Sequence, residues 1–404
     1  MARRVRNDSK LTSSERPFKV QVPEEQLLLL RKKLELAVFP DELEGADWNY
    51  GVPLADVKRL AARWQDGFDW RVQEADINES LPQFVQDIEV TGHGMLNIHY
   101  VHQKSQLVDA IPLLFVHGWP GSFLEVQKIL PLLTDVSPDG HFPSFHVVAF
   151  SLPGYGFSEA PKKPGFKMEH YAEIGNKLMI SLGYPEYVTQ GGDWGSHITR
   201  EIALMLNDPP ALSSHSLLAY LRYLITPYSE SEKAGLARSA WFRKKGAGYL
   251  AEQSTQPQTL GYSLGDSPVG LLAWIYEKLV SWSDGYAWDD DEVLTWVSIY
   301  WFSRAGPAAS VRIYYEIAQS NWKSTALTTR VSIPCGVSRF PKELGIVPKS
   351  WLYLLGNVVF HAEHTKGGHF AAHERSEDLV DDLRTMFGRD GKAFGVVPGK
   401  IGYM

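Results

Sequence analysis

The stretch Gln190-Gly-Gly-Asp-Trp-Gly-Ser196 contains the frame Gly-x-Asp-x-Gly and decides the fold class of this 404-residue chain. It follows the short strand-like stretch Tyr187-Val-Thr-Gln190 and precedes a helical pattern from His197 to Leu206. This strand-turn-helix order is the context of a nucleophile elbow, a tight turn that lifts one side chain above a sheet. Enzymes with this turn usually hold serine at its centre, where this chain has Asp193. The alternative is that Asp193 caps the helix N-terminus, which is a common role for aspartate.

The sequence on both sides of the elbow alternates short apolar strands with helical stretches. Ile111–Val116 and Phe145–Phe150 have the length and composition of buried strands, and a helical pattern follows each of them. This rhythm is lost from about 222 to 328, where the pattern is helical and rich in aromatic residues, and it returns at Val331–Val337. The sequence therefore predicts an α/β fold with a central, mostly parallel sheet, interrupted by a helical insertion.

We expect four segments in the chain. They are an N-terminal extension (1–100), the first part of the α/β core (101–221), a helical lid (222–328) and the second part of the core (329–404). The extension ends with two alternating strands, Phe84–Val90 and Leu96–Val101, which flank the turn Thr91-Gly-His-Gly94 and predict a β-hairpin.

Composition excludes several classes of protein. The 40 basic and 47 acidic residues give a net charge of −7, which offers no electrostatic footprint for nucleic acid. No window approaches the roughly 20 apolar residues of a membrane span, and no apolar segment of a secretory signal follows the basic N-terminus. We therefore expect a soluble cytoplasmic protein. The single cysteine, Cys335, excludes an intramolecular disulfide, and the 13 Trp, 18 Tyr and 18 Phe favour a large aromatic core or an apolar pocket.

Two partners for Asp193 follow it in the order nucleophile, acid, histidine that a catalytic triad of this type requires. His369 lies in the loop Gly367-Gly-His-Phe370, from which it could reach back to the elbow. Glu343 lies just after the strand Val331–Val337 and is the candidate for the acid that orients the histidine. Glu363 is the alternative acid.

A third element of the site is the segment His117-Gly-Trp-Pro120, which leaves the first central strand. A loop at this position supplies the second backbone donor of an oxyanion hole in this fold. We expect the backbone N–H groups of Trp119 and Trp194 to stabilise a tetrahedral oxyanion.

Two other patterns imitate functional motifs. Gly261-Tyr-Ser-Leu-Gly265 matches Gly-x-Ser-x-Gly, but no strand precedes it, so Ser263 is a poor candidate nucleophile. His369 and His373 have the spacing of a zinc pair, but no acidic metal-binding motif accompanies them. The chain also has no phosphate-binding glycine frame.

An aspartate nucleophile indicates a particular class of reaction. A carboxylate is ionised at neutral pH and can displace a leaving group from an alkyl carbon directly, forming an ester on the enzyme. His369 would then deprotonate the water that hydrolyses this ester, with Glu343 orienting the ring. Epoxides and alkyl halides are the candidate substrates; tyrosines in the insertion favour epoxides because an opening epoxide needs a proton.

The chain resembles the microsomal-type epoxide hydrolases, and is most similar to their soluble fungal members. The resemblance spans nearly the whole chain. It rests on four segments in particular: His117-Gly-Trp-Pro-Gly-Ser122, Gly191-Gly-Asp-Trp-Gly-Ser196, Asp266-Ser-Pro-Val-Gly-Leu-Leu-Ala-Trp274 and Gly367-Gly-His-Phe-Ala-Ala372. It implies the α/β-hydrolase fold and hydrolysis of epoxides to vicinal diols. Asp193 is then the nucleophile, His369 the base and Glu343 the charge-relay acid.

The same resemblance implies that Tyr249 and Tyr314 of the lid protonate the epoxide oxygen, with Tyr315 as an alternative to Tyr314. It implies no cofactor, a small apolar epoxide and water as reactants, and compatibility with a homodimer. The membrane-bound relatives have an N-terminal anchor, which we do not expect here. Two other interpretations stay open at this point: a haloalkane dehalogenase, and a non-catalytic binding protein with the same fold.

Overall fold

A six-stranded mixed sheet forms the centre of the first half of the chain. The computed structural model describes residues 15–206, 227–320 and 329–404. The strands lie in the order β1-β2-β3-β5-β4-β6. Their bounds are β1 Arg16–Pro17, β2 Gln83–Val90, β3 Gly94–Gln103, β4 Ile111–Val116, β5 Phe145–Phe150 and β6 Val188–Gly191.

The two central strands are buried over their full length, as their apolar sequences require. Strand β4 pairs in parallel with β5 on one side and with β6 on the other. The second register aligns Val116 with Gly191, so β4 and β6 end at the same level. The loops that leave these two strands, which begin with His117 and Gly192, therefore start side by side. Three helices flank this part of the sheet: α4 Ile129–Thr134, α5 Met168–Ser181 and α6 Asp193–Leu206.

The N-terminal extension explains why the sheet is mixed where the sequence predicted a mostly parallel one. The predicted hairpin is confirmed, with β2 and β3 paired from Gln83↔Val101 to Val90↔Gly94. A tight turn joins neighbouring strands only in antiparallel orientation. Strand β3 also pairs antiparallel with β5, so three of the five strand pairs in this sheet are antiparallel. The extension also holds three helices: α1 Glu24–Glu35, α2 Leu54–Ala62 and α3 Trp70–Ser80.

The insertion is helical over its described part. Its α-helices are α7 Glu230–Trp241, α8 Gly248–Thr255, α9 Pro257–Asp266, α10 Pro268–Trp282, α11 Asp290–Trp301 and α12 Arg312–Ala318. Trp282 and Trp296 are among the largest fully buried side chains of the described residues. The tip of α11 is held to the extension by an ion pair of Asp291 with Arg63 at 2.7 Å and by one of Asp290 with Arg59. The lid is thus anchored to the extension as well as to the core.

The last part of the chain returns to α/β structure. Strands β7 Val331–Arg339 and β8 Gly356–Glu363 pair in parallel, and the short helix α13 Ala371–Glu374 and the helix α14 Ser376–Phe387 follow them. Among the described residues this pair is a separate two-stranded sheet. The division into four segments stays a prediction. Its first boundary falls inside β3, and the boundary expected at 221/222 lies outside the described residues.

Candidate active site

Asp193 lies at the turn between β6 and α6 and has a left-handed backbone conformation, with φ at +47°. A Cβ atom on residue 191 would come within 2.5 Å of the Gly195 carbonyl carbon, and one on residue 195 within 1.8 Å of the Val116 carbonyl oxygen. The glycines of the frame are therefore a steric requirement of the turn. Helix α6 begins at Asp193 rather than at His197, because the nucleophile itself forms the first turn. A strained conformation at this residue is typical of a nucleophile elbow.

Two backbone N–H groups bind the Asp193 carboxylate. The N–H of Trp119 donates to Asp193 Oδ1 at 2.8 Å, and the N–H of Trp194 also hydrogen-bonds to the carboxylate. The loop can approach this closely because residue 118 is glycine: a Cβ atom there would lie 2.4 Å from Asp193 Oδ1. The two donors that the sequence proposed for an oxyanion hole thus both bind the Asp193 carboxylate. Asp193 is directed at the loop after β4 and not only at its own helix.

His369 contacts both acidic residues of the proposed triad. Its Nδ1 lies 2.7 Å from Glu343 Oε1, and its Nε2 lies 3.5 Å from Asp193 Oδ2. The backbone N–H of His369 donates to the carbonyl of Trp282 at 2.9 Å, and the two rings pack edge to face at 4.9 Å. Glu343 is fixed by the N–H of Leu344 at 2.6 Å. The structure therefore brings together Asp193 at the start of α6 with His369 and Glu343 from two separate loops.

The charges of these groups are set by competition between burial and pairing. Burial favours the neutral form of Asp193, but the bonds and charge of His369 and the two backbone N–H groups outweigh it and lower the pKa. Burial tends to raise the pKa of Glu343 in the same way, but the charge of His369 outweighs burial. The pKa of Glu343 is therefore also lowered. The pKa of His369 is raised well above its ordinary value, because two carboxylates outweigh its burial. Pairing with two carboxylates thus favours the charged form of His369 in the resting site.

The lid tyrosines lie above this triad. Tyr249 stacks on Trp119 at 5.1 Å, and Tyr314 packs edge to face against Trp194 at 4.9 Å and against Tyr249 at 5.8 Å. Tyr249 is 7% exposed and Tyr314 is 3% exposed, whereas Tyr315 is 38% exposed. Of the two adjacent tyrosines, only Tyr314 faces the residues of the elbow. Its hydroxyl has no hydrogen-bond partner within the described part of the chain.

Beside the tyrosines, the lid and the core meet in a narrow, mostly apolar cleft that leaves no room for a water molecule. It is lined by Trp119, Leu264, Leu271, Trp274, Ile275, Tyr300, Pro307, Ser310 and Val311. The lid also binds residues 117–121, the oxyanion loop. The Trp296 indole N–H donates to the Pro120 carbonyl, and the Tyr300 hydroxyl donates to the Gly121 carbonyl at 2.5 Å.

The alternatives raised by the sequence lie elsewhere. Ser263 is inside helix α9. Glu363 pairs with Arg339 at 2.7 Å, and its side chain is 45% exposed. His373 is turned away from His369, and its Nε2 lies 2.7 Å from Glu292 Oε1. Across residues 15–206, 227–320 and 329–404 there is no group of three or more His, Cys, Asp or Glu that could hold a metal ion.

Sequence reasoning missed Glu125, which lies behind the oxyanion loop. A Cβ atom on residue 121 would lie 1.6 Å from Glu125 Oε1, so the carboxyl group rests directly on the loop. Burial raises the pKa of Glu125 to about 8, with the charge of His369 opposing it, so the group is largely protonated at neutral pH. A detectable signal was its place in the apolar run Phe123-Leu-Glu-Val126, where an acidic residue is out of pattern.

Comparison with known proteins identifies the family. Residues 15–126 match the epoxide hydrolase N terminus family, and residues 111–251 match the alpha/beta hydrolase fold family. A protein of Stigmatella aurantiaca, provisionally named an epoxide hydrolase, is 39% identical over 383 residues, which cover 92% of this chain and 84% of the relative. This chain belongs to the epoxide hydrolase family. The resemblance drawn from the sequence and the α/β-hydrolase fold class are both confirmed.

Solved structures of the family agree with this assignment. The epoxide hydrolase of Aspergillus niger is 35% identical, with a TM-score of 0.77, over 92% of this chain and 95% of that one. The juvenile hormone epoxide hydrolase of Bombyx mori is 30% identical, with a TM-score of 0.81, over 92% and 93% of the two chains. Within the described residues of this epoxide hydrolase, no helix combines the length and apolar character needed to cross a bilayer.

Proposed function

We propose that this epoxide hydrolase converts a small apolar epoxide into a vicinal diol through an alkyl ester on Asp193. The observation that carries the proposal is the environment of the Asp193 carboxylate. One of its oxygens accepts the N–H of Trp119 at 2.8 Å, and the other faces His369 Nε2 at 3.5 Å. A carboxylate held in this way has one oxygen ready for attack and one already in an oxyanion hole.

In the first half-reaction, Asp193 Oδ2 attacks an epoxide carbon, and the carbon-oxygen bond of the ring breaks. The departing oxygen takes a proton from a lid tyrosine, because an alkoxide is too basic to leave without one. Tyr249 and Tyr314 support this step by their position above Asp193 and by their burial. The Tyr314 hydroxyl, which lacks a partner in the described residues, would gain one in the epoxide oxygen.

In the second half-reaction, His369 takes a proton from a water molecule, which attacks the Asp193 carbonyl carbon. The negative charge develops on Oδ1, where the N–H groups of Trp119 and Trp194 stabilise it. Collapse of this intermediate breaks the ester bond, releases the diol and leaves one oxygen of water in the Asp193 carboxylate. His369 can act as this base because its resting proton has passed to the phenolate left by ring opening, which restores the tyrosine. His369 therefore ends the cycle protonated, as it began. The second proton of the water passes to the departing diol oxygen, so one water is consumed for each diol.

The pKa of His369 changes during this cycle in the direction that the chemistry requires. In the resting enzyme the charges of Glu343 and Asp193 outweigh burial and raise that pKa. Formation of the neutral ester removes the charge of Asp193, so the pKa of His369 falls when a base is needed. Glu343 keeps the ring oriented through the 2.7 Å contact with Nδ1.

The proposal is tested with His369→Gln in water enriched in heavy oxygen, using a styrene-type epoxide. Because His369 acts only after the ester forms, we expect an ester on the Asp193 peptide to accumulate, with its hydrolysis slowed about 10³-fold. In single turnover, the wild-type enzyme should place the heavy oxygen in Asp193 and not in the first diol. Label in the first diol, or no ester in the variant, would exclude the mechanism. Faster halide release from alkyl halides than diol formation would favour a dehalogenase.

Two further expectations stay predictions. A homodimer is checked by light scattering of the purified chain, where a mass near 45.4 kDa would contradict it. A cytoplasmic location is checked by fractionation of the source cells.

A further inference from the structure

Lys278 occupies a core position of the lid helix α10. Leu271, Ile275, Lys278 and Trp282 recur at the spacing of one helical face, and all four are buried. Lys278 is 2% exposed. A buried ammonium group is costly unless charges or dipoles compensate for the lost water. Its surroundings must therefore supply that compensation.

Three groups surround the ammonium. Glu277 forms an ion pair with it. Lys278 Nζ also lies 4.6 Å from the centroid of the Trp274 ring and 5.3 Å from that of the Tyr249 ring, within the range of a cation-π interaction. A hydrogen bond holds Trp274 in this cluster, since its indole N–H donates to Gln253 Oε1 at 3.0 Å. Gln253 is fully buried and lies one turn after Tyr249 on α8.

The position of this cation matters because Tyr249 is a poor acid at rest. Burial raises its pKa, and the charge of Asp193 raises it further. When Tyr249 gives up its proton, the ring becomes a phenolate in a nearly water-free site. Among the described residues, Lys278 is the one cation that lies over the Tyr249 ring. The Glu277 carboxylate opposes it, but that side chain is 30% exposed against 2% for Lys278, so solvent screens its charge more strongly.

We propose that Lys278 is a positioning residue that holds the Tyr249 ring and stabilises the phenolate formed as Tyr249 protonates the opening epoxide oxygen. The inference rests on the proposed function, since it assigns Tyr249 to ring opening. Only the tyrosine proton moves in this step: the phenolic O–H bond breaks as the O–H bond of the product forms, and Lys278 keeps its protons. The Trp119 ring stacks on Tyr249, and the Trp119 backbone N–H binds Asp193. Trp119 therefore connects the Tyr249 ring to the nucleophile.

The test compares Lys278→Met with Tyr249→Phe and with the double variant in single-turnover kinetics. We expect Lys278→Met to slow ester formation about 10-fold and to leave ester hydrolysis unchanged, because the cation acts only while the phenolate exists. In the Tyr249→Phe background the same substitution should have no further effect. Lys278→Arg should retain the wild-type rate within about 3-fold. The loss in Lys278→Met should also shrink for an epoxide with electron-withdrawing substituents, whose alkoxide is less basic.

The matched control is Lys58→Met, since Lys58 is an exposed lysine whose Nζ lies 5.7 Å from the Phe39 ring, in the extension. It should keep both rates. If thermal unfolding shows that Lys278→Met is not folded, Lys278→Gln replaces it. Equal slowing by Lys278→Met with and without Tyr249, or no slowing at all, would overturn the inference. If the wild-type enzyme forms no diol, or forms it without an ester on Asp193, the proposed function itself has failed.

Discussion

In the core, Asp193 accepts a backbone N–H at 2.8 Å and faces His369, whereas in the lid the Tyr314 hydroxyl is buried with no hydrogen-bond partner in the described chain. Backbone atoms of two parallel strands and their loops set the geometry of the core. Packing between aromatic rings sets that of the lid, as in the stack of Tyr249 on Trp119. Backbone geometry therefore fixes the groups of the core, and side-chain packing fixes those of the lid.

The largest effect on activity is expected from removal of the core nucleophile, Asp193. Asp193→Ala should lower diol formation about 10⁴-fold or more, because no other described group can form the ester. The matched control is Ser263→Ala, which removes the serine of the misleading Gly-x-Ser-x-Gly frame and should leave turnover unchanged. Steady-state diol formation measures both variants. Activity that survives in Asp193→Ala but falls in Ser263→Ala would reverse the assignment.

The second effect concerns the acid that supports His369. Glu343→Gln should slow ester hydrolysis about 10²-fold, since the ring loses its negative partner at 2.7 Å. Because Glu343 raises the pKa of His369, its loss should also move the acid limb of the hydrolysis rate to lower pH. Rapid-mixing kinetics from pH 5 to pH 9 follow both quantities.

The control for this pair is Glu363→Gln, which removes an acid bound to Arg339 on the neighbouring strands. It should change neither the hydrolysis rate nor its pH dependence. A larger effect at Glu363 than at Glu343 would mean that Glu363, and not Glu343, supports His369 in the working enzyme.

A smaller effect separates the two adjacent tyrosines of the lid. Tyr314→Phe should slow ester formation about 10-fold, because Tyr249 still supplies a proton. Tyr315→Phe should have no effect, since that ring is 38% exposed and Tyr314 is 3% exposed. Single-turnover measurements decide, and equal effects of the two substitutions would show that burial is a poor guide to the donor.

The smallest effect on activity, with a measurable effect on stability, is expected at Glu125. Its folded-state pKa of about 8 lies above the ordinary value of 4.5, so its contribution to stability is present below about pH 4.5 and is lost as the pH rises through 8. Glu125→Gln carries no such titration. The free energy of unfolding of the variant, relative to that of the wild type, should therefore rise by up to about 1.4 kcal/mol per pH unit in this window. Urea unfolding at pH 5.5, 7 and 8.5 measures the difference, and parallel curves would contradict it.

Much of the core was predictable from local pattern. The alternation on either side of the turn at residues 91–94 predicted the hairpin that pairs Val90 with Gly94. Apolar runs of strand length predicted β4 and β5, and the frame around Asp193 predicted a tight turn whose glycines are required by contacts below 3 Å. These features are determined by neighbours in sequence, so sequence alone was sufficient for them.

What the sequence determined by itself was therefore the fold class, the elbow and the order of its partners along the chain. Tertiary structure alone decided which oxygen of Asp193 meets Trp119, that Glu343 rather than Glu363 reaches His369, and that Tyr314 rather than Tyr315 turns inward. The burial of Glu125 and Lys278, and the groups that surround them, became visible only there. The physical reason is that burial, distance and charge between residues far apart in the chain depend on how helices and strands pack together, and local patterns carry little of that information.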